Sequence, residues 1–67
     1  MISKRLKKLR KEKDLTQRNL AKILNLSPST IAMYETGDRK PDSNTLQEIA
    51  NFFEVSVDYL LGNTNER

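Results

Sequence analysis

Sixty-seven residues make a single domain whose core supplies only a few kcal/mol of net stability, roughly 3 to 5, and the absence of cysteine and histidine removes disulfides, thiolate chemistry, ordinary zinc sites and the imidazole base. Charge is polarised: residues 1 to 41 carry eleven basic against four acidic side chains (+7) and residues 42 to 67 one against five (−4), which together return the net +3. The basic N-terminus leads into no apolar run of signal-peptide length, and no stretch approaches the ~20 apolar residues that span a bilayer, so a soluble, cytoplasmic protein attractive to polyanions is expected.

Ile2, Leu6 and Leu9 recur at helical spacing between basic residues, which predicts an amphipathic first helix over residues 2 to about 13. Asp14 and Leu15 interrupt it. Thr16 is an N-cap residue, and Leu20, Ala21, Ile23 and Leu24 supply the inner face of a second helix over about residues 17 to 24. Asn25 tolerates the left-handed conformation and stops that helix. Ser27 caps a third helix with Pro28 at its first position, where the missing N–H costs nothing. "ETGDRKPD" is a loop with Arg39 and Lys40 at its centre.

Asp42 or Ser43 opens a fourth helix, in which Leu46, Ile49, Ala50 and Phe53 fall on one stripe. Ser56 caps a short fifth helix carrying Val57, Leu60 and Leu61, and Gly62 suits its C-terminal cap. The final "NTNER" is expected to fray. No β alternation, repeat or low-complexity tract interrupts this pattern, so the expected fold is all-α, a compact bundle of five short helices.

The sharpest signal is the spacing of the second and third helices. Leu20, Ala21, Leu24, Asn25, Leu26, Ile31 and Tyr34 form a pattern in which a small residue lets two helices cross closely while Ile31 and Tyr34 anchor the second across the first. Two such helices joined by a three-residue turn fit a helix-turn-helix unit, whose second helix enters the DNA major groove. A helical hairpin in any small bundle imitates part of the pattern.

Residues 5 to 62, with the landmarks "LTQ", "LA", Ser27, "YETG" and "PDSNTLQEIANFFEVSVDYLLG", resemble the Cro and lambda-repressor-like helix-turn-helix proteins, also called the xenobiotic-response-element family. The resemblance implies one domain over residues 1 to 67, with a core at 5 to 62, the motif at about 17 to 36 and a polar tail at 63 to 67. It also implies a regulator of transcription that binds double-stranded DNA, usually as a homodimer on two half-sites, without metal or cofactor.

Carried over residue by residue, Thr16 and Gln17 lie at the start of the second helix, where the family glutamine bonds a phosphate and braces the recognition helix. Ser27 matches the family's cap residue. Pro28, Ser29, Ala32, Met33 and Thr36 match groove-facing positions, while Thr30, Ile31 and Tyr34 point more toward the protein; Thr30 is kept among the DNA contacts. Arg10 and Glu35 match a pair that often joins the first and third helices, with Arg10 also near the DNA backbone. Arg39 and Lys40 occupy a loop where family members place phosphate contacts. The family often has glycine where this chain has Asp14 and Asn25.

The recognition helix departs further. It lacks the Gln, Asn, Arg or Lys that make bidentate bonds to bases, so base choice is expected to rest on thymine-methyl contacts, water-mediated bonds from Ser29 or Thr30, and DNA shape. Phe52, Val55, Val57, Tyr59 and Leu61 are more apolar residues than one short helix needs, and are the expected dimer surface; a monomer packing them internally is the competing account. A palindromic operator would follow from two recognition helices about 34 Å apart. The rival function is an antitoxin or protein-interaction module. No small-molecule substrate is evident, and an enzyme is excluded on the lack of any base-nucleophile pair or enclosed carboxylate pair.

Overall fold

A computed structural model describes residues 2 to 67. Among these residues five helices follow one another: α1 (Ile2–Glu12), α2 (Gln17–Leu24), α3 (Pro28–Thr36), α4 (Ser43–Phe53) and α5 (Val57–Leu61). Each of the last four begins on a hydroxyl or carboxylate cap, Thr16, Ser27, Asp42 and Ser56, whose side chain accepts the backbone N–H three residues on. Thr16 goes further and forms a capping box, because Asn19 Oδ1 accepts the Thr16 N–H at 3.2 Å.

The turns rely on left-handed residues. Asp14 has φ 55°, and Asn25, with φ 60°, closes α2 by donating its N–H to Ala21 and Lys22 carbonyls. Both hold the conformation that glycine would otherwise supply. Glu54, at φ 56°, closes α4 in the same way and has no short polar side chain to favour it.

Every helix gives residues to one core: Leu6 and Leu9, Leu20 and Ala21, Ile31 and Tyr34, Ile49, Ala50 and Phe53, then Val55, Tyr59 and Leu60. α3 packs against both α2 and α1, α1 also against α5, and α4 against α5. Ala21 is completely buried, as close packing in the α2–α3 hairpin requires. Ile23 differs from its expected place on the inner face: it is 49% exposed, since the stripe of so short a helix is complete with Leu20, Ala21 and Leu24.

The chain's end corrects a second expectation. Residues 64 to 67 do not fray but fold back along α1. The Ser56 N–H donates to Arg67 O at 2.7 Å, and Arg67 grips the Glu12 carboxylate with two bonds of 2.8 and 2.6 Å. From α1, Arg5 donates to the Tyr59 and Thr64 carbonyls at 3.1 and 2.9 Å and to Asn65 Oδ1 at 2.9 Å. The Tyr59 ring sits beneath both guanidiniums, 4.1 Å from Arg5 and 5.4 Å from Arg67. Arg5 thus joins α1 to α5 and to the residues that follow it. Among the described residues no helix is long and apolar enough to cross a membrane.

Candidate nucleic-acid interface

What orients α3 lies on its buried side. Ile31 and Tyr34 are inserted in the core, and between them and the helix end the Glu35 side chain also turns inward, 3% exposed. Arg10 of α1 meets it with two bonds, Nε to Oε2 at 2.7 Å and Nη2 to Oε1 at 3.0 Å, while Nη1 donates to the Leu15 carbonyl at 2.7 Å. Gln17 Nε2 completes the set, donating to Glu35 Oε1 at 3.1 Å. One carboxylate therefore ties α1, the following turn and α2 to α3. The hydrogen bonds to Glu35 raise the Arg10 pKa, burial opposes this, and the carboxylate's charge adds to it.

Arg10, expected also near the DNA backbone, is turned toward the protein: its side chain is 10% exposed, and three of its five N–H groups, one on each nitrogen, are used inside the chain. Gln17 is half-buried, more open than Arg10. Its amide nitrogen carries two protons, so one N–H holds Glu35 and the second stays available at the start of α2. Thr16 Oγ1 accepts the Asn19 N–H at 3.0 Å, which leaves the hydroxyl proton as a further donor at the same helix end.

The outward side of α3 has little hydrogen-bonding chemistry. Pro28 and Ser29 are exposed, and Ala32 and Met33 are half-buried, so the helix is apolar on both sides with almost no amphipathic asymmetry. Ser27 Oγ accepts the Thr30 N–H at 3.2 Å and is hydrogen-bonded to Ser29 Oγ at 3.1 Å and Thr30 Oγ1 at 2.8 Å. These three hydroxyls are the polar groups of the tip. At the other end, Thr36 is exposed but turns back: Met33 O at 3.1 Å and Asp38 Oδ2 at 2.9 Å both lie within reach of its hydroxyl, whose single proton is taken up by these two acceptors of the chain. Gly37 then leaves the helix at φ 87°.

Arg39 and Lys40 follow in the loop, both exposed. They border a cleft of about 280 Å³ whose apolar wall is Ile2, Pro41, Leu46 and Leu61. Asp42 opens the next helix, and its carboxyl is held below the ordinary carboxylate range. The Thr45 backbone N–H, donating at 2.8 Å, is the main cause, followed by the Thr45 side chain, with Arg39's charge adding to it and burial opposing.

The expected dimer surface needs correction at two positions. Val55 and Tyr59 are buried within this chain's own core, Tyr59 under Arg5 and Arg67, and neither is available to a second copy. Phe52 is half-buried, edge-on to Phe53 at 4.9 Å with the Lys13 ammonium 5.6 Å from its ring centre. Val57 is half-buried, and Leu61, at 42% exposed, is the large apolar residue of α5 that faces outward. Among the described residues no cluster of acidic side chains is placed to hold a metal ion. Sequence reasoning missed the Asn19 half of the capping box, although Thr-x-x-Asn is a local pattern; it also missed the Arg5 and Arg67 clasp, which has no local signal.

This geometry has counterparts among known proteins. The chain is 48% identical over 68 residues to YqaE, an uncharacterized HTH-type transcriptional regulator of Bacillus subtilis, with 100% of this chain and 59% of that protein aligned. It therefore spans under two thirds of that relative. A transcriptional regulator from Listeria innocua superposes with a TM-score of 0.89 at 34% identity, over 100% of this chain and 63% of that one. The P22 c2 repressor, solved in complex with a synthetic operator, superposes with a TM-score of 0.84 at 25% identity, over 90% of this chain and 91% of its own. The helix-turn-helix family matches residues 6–60, a span that runs through α2, α3 and the turn between them, and the chain belongs to that family in its Cro and lambda-repressor-like form.

Proposed function

We propose that this domain is a sequence-specific, DNA-binding regulator of transcription, a repressor that acts as a dimer on a palindromic operator. The observation that carries the reading is the mounting of α3. A buried ion pair and two core side chains fix the helix from behind, while its front is a half-apolar surface on which Pro28 and Ser29 are exposed and Ala32 and Met33 half-buried. Donors flank that surface on both sides, the second Gln17 N–H on α2 and the exposed Arg39 and Lys40 after α3. Such a layout suits a major groove between two phosphate backbones, with backbone contacts positioning the helix and the tip selecting bases. Likeness to a repressor solved on its operator supports the same assignment.

Leu61 is the centre of the proposed dimer contact, with Val57 one helical turn before it on the same face of α5 and the cleft beside Ile2 and Leu46 adjoining it. Selection of bound sequences from a random DNA pool tests the reading. The expected product is a repeated half-site with inverted symmetry, centres about 34 Å apart, and an affinity that falls steeply with salt as phosphate counterions are released. Recovery of no consensus, or a flat salt dependence, would reject it. Sedimentation of the wild type and Leu61→Lys tests the dimer separately: the substitution is expected to leave only monomer.

A further inference from the structure

We infer that Ser27 decides which hydroxyl at the tip of α3 donates a proton to DNA, so that Ser27, Ser29 and Thr30 together select adenine over guanine; the inference rests on the reading of α3 as the groove-facing helix. The argument is a count of protons. A serine hydroxyl has one proton and two lone pairs. The Thr30 N–H at 3.2 Å occupies one lone pair of Ser27 Oγ. Ser29 Oγ at 3.1 Å and Thr30 Oγ1 at 2.8 Å are both within hydrogen-bond distance of what remains, one proton and one lone pair. With both bonds made, one neighbour accepts from Ser27 and the other donates to it.

Consequences follow for what reaches outward. The hydroxyl that accepts Ser27's proton keeps its own O–H for DNA. Its neighbour has given its proton inward and offers lone pairs alone. Ser29 and Thr30 therefore present one donor and one acceptor, in either order, and exchanging the two requires both bonds to reverse together. In the major groove adenine shows an acceptor, N7, beside a donor, the N6 amine, whereas guanine shows two adjacent acceptors, N7 and O6. An adenine edge satisfies the pair in one proton arrangement. A guanine read at the same two atoms of its edge, N7 and O6, leaves the proton-free hydroxyl facing another acceptor, and desolvated groups of that kind are costly.

The test starts from the operator recovered by selection, at the base pair whose preference is lost in Ser29→Ala. Wild-type protein is expected to prefer adenine over guanine there by roughly tenfold or more, in line with one good base contact. Ser27→Ala frees both hydroxyls to donate, and the preference is expected to fall below about threefold. Ser27→Thr retains the shared hydroxyl and is expected to restore it. Thermal melting run in parallel separates the lost cap from the lost selectivity, since a weaker cap lowers stability without changing a ratio of affinities measured on folded protein. Should Ser27→Ala fail to fold, Thr30→Val keeps the cap, removes one of the two competing hydroxyls, and is expected to lower the same ratio. An unchanged ratio in these variants, or a guanine selected at that position, overturns the inference while leaving the DNA reading intact; recovery of no consensus overturns both.

Discussion

Replacing Arg10 with methionine tests the claim that one buried carboxylate mounts the recognition helix. The substitution keeps the side-chain volume but removes the two bonds to Glu35 and the one to the Leu15 carbonyl. Glu35, 3% exposed, is left as a charge facing a single amide, that of Gln17. Breaking a buried pair in this way costs about 3 to 5 kcal/mol, which matches the roughly 3 to 5 kcal/mol that a core of this size supplies. Arg10→Met should therefore sit close to its unfolding midpoint at room temperature, with folded and unfolded chains in comparable amounts. Arg10→Met combined with Glu35→Leu removes both charges and is expected to recover much of the loss. Urea titration followed by far-ultraviolet circular dichroism measures both. A loss under about 1 kcal/mol in the single variant, the scale of a solvent-exposed pair, would refute the reasoning.

Three further outcomes are expected. Glu54→Gly should raise the melting temperature: the left-handed backbone at φ 56° costs an ordinary residue about 1 to 2 kcal/mol, and glycine's greater freedom when unfolded returns about 0.5 to 1 of it. No rise in a thermal scan would show that Glu54 carries no such strain. The Asp42 cap should add an acid limb to the stability curve, because its carboxyl is held below its unfolded value by the Thr45 N–H. That contribution is complete above the unfolded carboxylate pKa and disappears as pH falls through the depressed folded one, so Asp42→Asn should flatten the acid limb in denaturant melts across pH. Gln17→Glu should lower both stability and operator affinity, placing a second carboxylate against Glu35 and toward phosphate, whereas Gln17→Leu should lose affinity with a smaller change in melting; anisotropy of labelled DNA, beside thermal scans, separates the two.

What was legible in the sequence was what neighbouring residues decide. Thr16, Ser27, Asp42 and Ser56 cap their helices because a side-chain oxygen three residues from a free N–H needs no distant help. The Arg10–Glu35 link was accessible only through family resemblance, since 25 residues separate the partners and nothing local marks either one. Apolar content misled at the end of the chain. Tyr59 and Val55 looked surplus to a helix of five residues and so available to a second copy. Val55 joins the common core, and the cover over Tyr59 comes from residues that periodicity cannot place together: Arg5, 54 positions from the carbonyl it bonds, and Arg67, 55 positions from Glu12.

That distinction also narrows the search for a dimer contact. A ring flanked by two guanidiniums is already desolvated, and the same guanidiniums are committed to the Thr64 carbonyl and to Glu12. A second copy could reach Tyr59 only by dismantling the clasp, giving up several hydrogen bonds for contacts that the ring already has. Leu61 has no such cover, and burying an exposed leucine contributes about 1.5 to 3 kcal/mol when complete. Two copies meeting at Leu61 would cover that side chain twice, once from each protomer, because a two-fold interface uses the same patch on both sides. The half-buried Val57, one turn earlier on the same face, would then add area beside it without disturbing either chain's core.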